Sequence, residues 1–197
     1  MSDSETTVSE EVLAEAEKVL AEVEQQWGEE EARVEPLIVD PLTPRDDSYP
    51  ASAEEFFDEF YRYVAGASVT DSEGRLLCVY SPARDEWETP GGVGEPNETP
   101  ADTARRETLE ESGIESEITG LLFTRLMEID LGGPEPLPIP VAVFTARQTG
   151  GEELDGPDLE ESEEVSDVRW FELNELPADL RGYEWKHSHL ESLNDQN

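Results

Sequence analysis

A helical repeat of apolar residues marks the N-terminal part of the chain. Thr7 and Glu10 have the spacing of a capping box, the pair of polar residues that opens many helices. Apolar residues then recur every three or four positions: Val12, Leu13, Ala16, Val19, Leu20, Val23 and Trp27. The pattern predicts one amphipathic helix that ends near Gly28. We expect the core of the same chain to cover its apolar stripe; the alternative is a second copy, which would make a homodimer through this helix.

A connector and a second helix come next. Residues 36–50 are rich in proline and turn-forming residues, with room for one short strand at Leu37–Val39. Ser52 and Glu55 have the spacing of a second capping box. The apolar residues after it are spaced as in a helix: Phe56, Phe57, Phe60, Tyr61 and Val64. We expect these aromatic residues to belong to a core.

Strand patterns dominate the rest of the chain. They cover residues 67–70, 76–80, 118–129, 141–147 and 165–171. A glycine-containing turn between the first two predicts a hairpin, residues 150–164 form a long acidic loop, and residues 176–193 include a final helix. This order predicts an α/β (α+β) fold with helices packed on a mixed sheet. We divide the chain into a helical extension with its connector, residues 1–65, and a main domain, residues 66–197.

Charge changes this picture more than hydropathy does. The 50 acidic and 13 basic residues give a formal net charge of −37, while 36% of residues are apolar, which is enough for a folded core. Only Lys18 and Lys186 are lysines. Such a surface opposes compaction in dilute buffer and is tolerated when salt screens it. The composition resembles that of halophilic proteins, from organisms with molar salt in the cytoplasm; the alternative is an acidic protein of an ordinary organism.

The same charge excludes some partners. Duplex nucleic acid and anionic membranes are bound through Lys and Arg, so we expect neither as a partner, and a polyphosphate ligand would need a bridging metal. The N-terminus lacks the basic-then-apolar pattern of a secretion signal. The longest apolar run, residues 137–144, is too short to span a bilayer. We therefore expect a soluble, cytoplasmic protein.

Cysteine and histidine offer little chemistry. Cys78 is the only cysteine, which excludes an intrachain disulfide, and its place in a strand pattern indicates a buried core residue. His187 and His189 have an H-x-H spacing that could bind a metal if it lay in a strand. We interpret them as surface histidines instead.

One helix has clear start and stop signals. Thr99 fits the N-cap, Pro100 fits the first helical position, and Gly113 fits the left-handed stop. These residues predict a helix that directly follows a glycine-rich loop.

Three carboxylates share one face of this helix. With about 100° between successive residues, Glu107, Glu110 and Glu111 lie on one side. The other side carries Ala101, Ala104, Thr108, Leu109 and Ser112. Like charges at this spacing repel by about a few tenths of a kcal/mol per pair, and a divalent cation that prefers oxygen ligands, such as Mg²⁺, would reverse the sign. In so acidic a chain, three glutamates on one face also arise by accident.

A wider pattern decides between these two readings. The chain contains G-x5-E-x7-R-E-x-x-E-E-x-G-[I/L/V], which is matched by Gly92, Glu98, Arg106, Glu107, Glu110, Glu111, Gly113 and Ile114. Residue frequencies put a chance match at about one in ten thousand or rarer. The pattern resembles the signature of the Nudix hydrolase family, and the likeness extends over roughly residues 66–180. Thr108 departs from the family, which has Ile, Leu or Val there, and this puts local packing in question rather than chemistry.

The resemblance implies a Nudix-type α/β/α sandwich and a Mg²⁺-dependent hydrolysis of phosphoanhydride bonds, with Mn²⁺ as the other candidate metal. The metal ligands that it implies are the carbonyl oxygen of Gly92 and the carboxylates of Glu107, Glu110 and Glu111. Glu107, Glu111 and Arg106 are the implied catalytic residues. Glu107 would orient or deprotonate the attacking water, and Arg106 with Glu98 would hold the loop to the helix.

The resemblance leaves a further metal ligand and the substrate open. The acidic loop offers Glu160, Glu161, Glu163 and Glu164, of which we choose Glu164. The substrate is expected to be a small nucleotide: a nucleoside triphosphate, a nucleotide sugar or ADP-ribose, or a dinucleoside polyphosphate. The alternatives are a non-catalytic Nudix-fold module that senses a nucleotide, and an acidic scaffold that binds partners through its N-terminal helix.

Overall fold

The computed structural model describes residues 7–28, 33–39, 49–59, 62–153 and 165–194. Their contacts divide the chain into two compact units. The first comprises Met1–Val64 and Phe123–Ala142, and the second comprises Ala65–Leu122 and Val143–Asn197. Each unit is described by itself below.

Helices and a mixed sheet build the described part of the chain, as the α/β (α+β) prediction requires. The helices are α1 (Val8–Trp27), α2 (Ala53–Glu59), α3 (Pro100–Ser112) and α4 (Tyr183–Asn194), and a 3-10 turn lies at Leu173–Glu175. The strands are β1 (Leu37–Val39), β2 (Val64–Thr70), β3 (Leu76–Ser81), β4 (Glu86–Glu88), β5 (Gly91–Val93), β6 (Ile114–Ile129), β7 (Leu137–Gly151) and β8 (Asp167–Phe171). Within the described residues the strand order is β1-β6-β7-β2-β3-β4, with β5 beside β2 and β8 beside β3.

The predicted N-terminal helix is present in the first unit with its capping box. The Thr7 hydroxyl accepts from the Glu10 amide at 3.2 Å, and the Glu10 carboxylate accepts from the Thr7 amide at 2.8 Å. The stripe is buried at Val12, Ala16, Leu20 and Val23. Val12 belongs to a core cluster with Phe56, Ile129, Leu137 and Ile139. The chain itself therefore covers this stripe, as the core-packing alternative expects.

The second predicted helix is shorter than its apolar pattern suggested. The Ser52 hydroxyl accepts from the Glu55 amide at 3.1 Å, which opens α2 as predicted. Val64, which was assigned to the helical pattern, begins β2 instead. Residues 65–70 are buried on both faces, so this run packs as a central strand. Phe60 and Tyr61 lie outside the described residues.

The predicted hairpin lies in the second unit. Thr70 pairs with Leu76, and Asp71 closes the turn by accepting from the amides of Glu73 and Arg75, each at 2.9 Å. Strand β3 pairs with both β4 and β8. Cys78 is fully buried there and packs in a cluster with Leu76, Leu180 and Leu190, as expected of a core cysteine.

The long strands extend beyond their predicted bounds. Strand β6 begins at Ile114, one residue after the Gly113 cap of α3. Strand β7 begins before the predicted 141–147 and ends after it, so it includes Pro138, Pro140 and the Gly150–Gly151 pair that opens the predicted acidic loop. The short strands β4 and β5 were not predicted, and β5 lies in the stretch that was expected to be a glycine-rich loop. No helix in the described segments has the length and apolar character needed to cross a membrane.

Candidate active site

Helix α3 has the boundaries that its capping residues predicted. The Thr99 hydroxyl accepts from the Asp102 amide at 3.3 Å, and the Asp102 carboxylate accepts from the Thr99 amide at 3.2 Å. At the other end Gly113 has φ 75°, and its amide donates to the Leu109 carbonyl at 2.8 Å. This left-handed cap ends the helix and starts β6 at Ile114. The helix therefore starts and stops at fixed residues beside β5.

The inner face of α3 is made of small side chains. Ala101, Thr103, Ala104, Thr108 and Ser112 are buried. The Thr108 hydroxyl donates to the Ala104 carbonyl at 2.7 Å, so the polar atom that replaces the family's aliphatic residue is satisfied within the helix. Leu109, which was grouped with this face, is 48% exposed. It lies about 100° from Thr108 around the helix, at the rim of the contact.

Arg106 is the centre of the charged network on α3. Its Nε and Nη2 atoms donate to the two carboxylate oxygens of Glu98, at 2.9 and 3.2 Å. Nη2 also donates to the Val93 carbonyl at 2.9 Å. Nη1 donates to Glu107 Oε1 and to Glu110 Oε2, each at 2.8 Å. One guanidinium therefore contacts three carboxylates and ties the loop before the helix to β5.

This network has an electrostatic signature. Hydrogen bonds from Arg106, with a smaller contribution from Thr103, lower the pKa of Glu98 from 4.5 to about 2. The hydrogen bond to Glu98 raises the pKa of Arg106 above its ordinary value. Both groups are therefore charged near neutral pH. The expected link between Glu98 and Arg106 is present.

Strand β5 contacts two of the three signature glutamates. Glu107 is only 7% exposed, and its carboxylate lies over Gly92, where an added β-carbon would come within 2.6 Å of Cδ. Glu111 Oε2 accepts from the Gly91 amide at 2.8 Å. Glu110 is the outer member, with a 58% exposed side chain. The sequence did not predict that the Gly91 amide donates to Glu111 or that the Val93 carbonyl accepts from Arg106. The Gly91-Gly92 pair was the feature that could have indicated such contacts, because glycine lets another side chain approach the backbone closely.

Each signature glutamate thus has a hydrogen-bond donor within the protein. In keeping with this, no three Asp, Glu, His or Cys side chains among the described residues already form a group that could hold a metal. The oxygens available are nonetheless of the kind that Mg²⁺ and Mn²⁺ bind: carboxylates of Glu107, Glu110 and Glu111 and the carbonyl of Gly92. The absence of a β-carbon at residue 92 leaves this side of β5 open to the carboxylates.

Two further groups of candidate metal ligands were considered from the sequence: the glutamates of the acidic loop and the two histidines. Glu160, Glu161, Glu163 and Glu164 are outside the described residues. His187 and His189 lie in α4 and not in a strand, and both are half-buried instead of fully exposed. His187 stacks on Tyr183 and faces Glu191 at 3.5 Å, while burial lowers the pKa of His189. Residues i and i+2 of a helix point to different sides, so His187 and His189 do not converge on one metal ion.

Comparison with known proteins identifies a family for the part of the chain that contains α3. The NUDIX domain model matches residues 60–193. The human protein named nucleoside diphosphate-linked moiety X motif 6 is 39% identical over 71 residues, which are 35% of this chain and 22% of that protein. A MutT-like protein of Streptomyces ambofaciens is 34% identical over 113 residues, 57% of this chain and 64% of that protein. The chain thus spans less than two thirds of either relative.

Solved structures agree in fold. A MutT NUDIX hydrolase from Burkholderia pseudomallei superposes with a TM-score of 0.51 at 27% identity, over 64% of this chain and 95% of that one. A NUDIX hydrolase from Nitrosomonas europaea gives a TM-score of 0.51 at 26% identity, over 68% of this chain and 72% of that one.

Proposed function

The chain belongs to the NUDIX domain family, and on that premise we propose that it is a Mg²⁺-dependent pyrophosphohydrolase. Its substrate is a nucleoside diphosphate linked to another group, and it cleaves the phosphoanhydride bond. The observation that carries this proposal is the buried carboxylate of Glu107, held between Arg106 and Gly92 at the start of an acidic helix face.

The proposed roles are those that the likeness to the Nudix signature implies. Glu110 and Glu111 lie one helical position apart and are the principal metal ligands, with Glu107 and the Gly92 carbonyl beside them. Mn²⁺ is an alternative to Mg²⁺, since both accept carboxylate and carbonyl oxygens. Bound metal would offset the charge of the diphosphate and favour in-line attack by water. Glu164 remains a proposed further ligand.

The protein's own groups set the geometry of that attack. Glu107 orients or deprotonates the water, and this role is supported by a carboxylate that has little rotational freedom because Arg106 and β5 hold it. Glu98 keeps Arg106 in place through two hydrogen bonds. In this scheme no protein side chain forms a covalent bond to the substrate.

The proposal extends to the environment of the protein. A net charge of −37 with two lysines fits a halophilic organism and a salt-rich cytoplasm. In such a medium a small polyphosphate reaches the site only with its charge offset by cations.

The division of the chain also remains a proposal. Residues 66–197 would carry the hydrolase, and residues 1–65 would form an extension to it. A homodimer through α1 would have to use the part of the apolar stripe that is not buried, such as Leu13, which is 40% exposed, because Val12, Ala16, Leu20 and Val23 are buried. Measuring the mass in solution of the full chain and of Leu13→Gln tests for such a contact.

A substrate panel tests the function. Nucleoside triphosphates, ADP-ribose and other nucleotide sugars, and dinucleoside polyphosphates are incubated in molar KCl with Mg²⁺, with Mn²⁺ or with a chelator, and the released products are identified. We expect one class to be cleaved between phosphates, only with metal, and Glu111→Gln to lose this activity. Glu22→Gln, an exposed substitution in α1 with the same charge change, is the control and keeps it. Binding of a nucleotide without cleavage would contradict the proposal and favour a sensor.

A further inference from the structure

The guanidinium of Arg106 is hydrogen-bonded to two of the carboxylates proposed as metal ligands. Its Nη1 atom donates to Glu107 Oε1 and to Glu110 Oε2, each at 2.8 Å. Glu107 and Glu110 are two of the five proposed ligands, the others being Glu111, the Gly92 carbonyl and Glu164. A cation supplied by the chain is therefore already hydrogen-bonded to them.

The two ends of this guanidinium are held differently. Nε and Nη2 are engaged by Glu98 and by the Val93 carbonyl, and the Glu98 side chain is only 19% exposed. Nη1 reaches outward to Glu110, whose side chain is 58% exposed. The Glu98 end is thus an anchor, whereas the contact with Glu110 breaks by rotation of one exposed side chain. Exposed pairs of this kind are weak, which makes the contact exchangeable.

A divalent cation at these carboxylates meets a fixed positive charge. It competes with Nη1 for the Glu107 and Glu110 carboxylates and is repelled by the guanidinium. We propose that Arg106 is a built-in competitor for the metal: it takes the place of the metal on Glu107 and Glu110 when none is bound, and metal binding moves Glu110 off Nη1. The inference rests on the proposed metal site and concerns how that site is loaded.

Such a competitor has two consequences in this chain. It keeps the neighbouring carboxylates of α3 from repelling one another without metal, which supports the helix before loading. It also weakens metal binding in the absence of substrate, so that a substrate bringing its own Mg²⁺ is favoured over free metal.

The test measures metal binding and not turnover. Metal-free protein in molar KCl is titrated with Mn²⁺, and free Mn²⁺ is followed by electron paramagnetic resonance. Arg106→Gln is expected to bind Mn²⁺ about fivefold more tightly than the unsubstituted chain. Arg105→Gln is the matched control, because Arg105 is the neighbouring residue, carries the same charge and pairs with Asp102 outside the network. Its affinity should stay within about twofold of the unsubstituted chain.

Two results would overturn the inference: weaker binding by Arg106→Gln, or an equal gain in both variants, which would reflect net charge alone. If Arg106→Gln does not fold, the inference is tested by NMR on the unsubstituted protein. Mg²⁺ should then change the guanidinium NMR signals of Arg106 and leave those of Arg105 unchanged, and unchanged Arg106 signals would contradict the inference. A chain that shows the affinity gain but cleaves nothing refutes the proposed function alone, and a chain that cleaves without the gain refutes only this inference.

Discussion

The carboxylate of Glu107 fills the space beside Gly92 that any side chain at that position would need. A β-carbon there would lie 2.6 Å from Cδ and 2.9 Å from Oε2 of Glu107. Contacts this short require the carboxylate of Glu107 to move away from residue 92. The position of the Glu107 carboxylate therefore depends on the absence of a side chain at Gly92.

Gly92→Ala is expected to displace Glu107 and lower kcat by about 100-fold, since a misplacement of about 1 Å has effects of this size. The control is Gly120→Ala in β6, where an added β-carbon would meet only the Thr145 hydroxyl at 3.1 Å. Steady-state kinetics of the two variants check the prediction. Equal activity in both would show that the position of Glu107 does not matter for the reaction.

The ion pair of Glu98 and Arg106 predicts that the effect of Glu98→Gln on the free energy of unfolding depends on pH. The folded-state pKa of Glu98, about 2, lies below its ordinary value of 4.5. The stabilisation is therefore complete above about 4.5 and is lost as pH falls towards about 2. Glu98→Gln should unfold with about 1 kcal/mol less free energy than the unsubstituted chain near neutral pH, after allowance for solvent screening. Denaturant unfolding at a series of pH values should show this difference in free energy becoming smaller as pH falls from about 4.5 towards about 2. A difference that stays constant with pH would contradict the prediction.

Lys186 predicts that stability rises with pH in alkaline solution. It is 4% exposed in α4, and burial lowers its pKa from 10.5 to about 8. Its charged form costs stability below about pH 8, and this cost disappears as pH rises from about 8 to about 10.5. Relative to Lys186→Met, the unsubstituted chain should gain about 3 kcal/mol over that range. Denaturant unfolding of both proteins at each pH measures the gain. Parallel pH profiles would contradict the prediction, because they would show that folding does not lower the pKa of Lys186.

Salt is expected to stabilise the folded chain strongly. Raising KCl from dilute to molar screens the repulsion among the carboxylates behind a net charge of −37. The unfolding temperature should rise by about 10 °C or more, which corresponds to a few kcal/mol for a chain of this size. Thermal unfolding followed by circular dichroism measures this. A flat profile would contradict salt adaptation.

Capping residues made α3 predictable from sequence. Thr99, Pro100 and Gly113 act through local backbone geometry, so the helix begins and ends where they indicate. The stripe of α1 was predictable for a similar reason, since its period is local. Val64 was assigned to the wrong element because a single apolar residue fits either period.

The contacts of the site were less accessible. The sequence pattern put Glu107, Glu110 and Glu111 on one face, but it did not show that Arg106 bridges two of them or that the Gly91 amide holds the third. These contacts depend on rotamers and on β5, which is too short to produce a strand pattern. Leu109 shows the same limit, because helical spacing alone did not distinguish the buried face from its rim.

The most direct test of the central claim is the turnover of Glu107→Gln on the substrate that the panel identifies, measured beside Glu22→Gln in molar KCl with Mg²⁺. The amide keeps the size of the side chain and removes its basic oxygen, so the account predicts a fall in kcat of about 100-fold or more. Glu22→Gln should be unchanged, and both variants should unfold close to the temperature of the unsubstituted chain. Undiminished kcat in a folded Glu107→Gln would contradict the account.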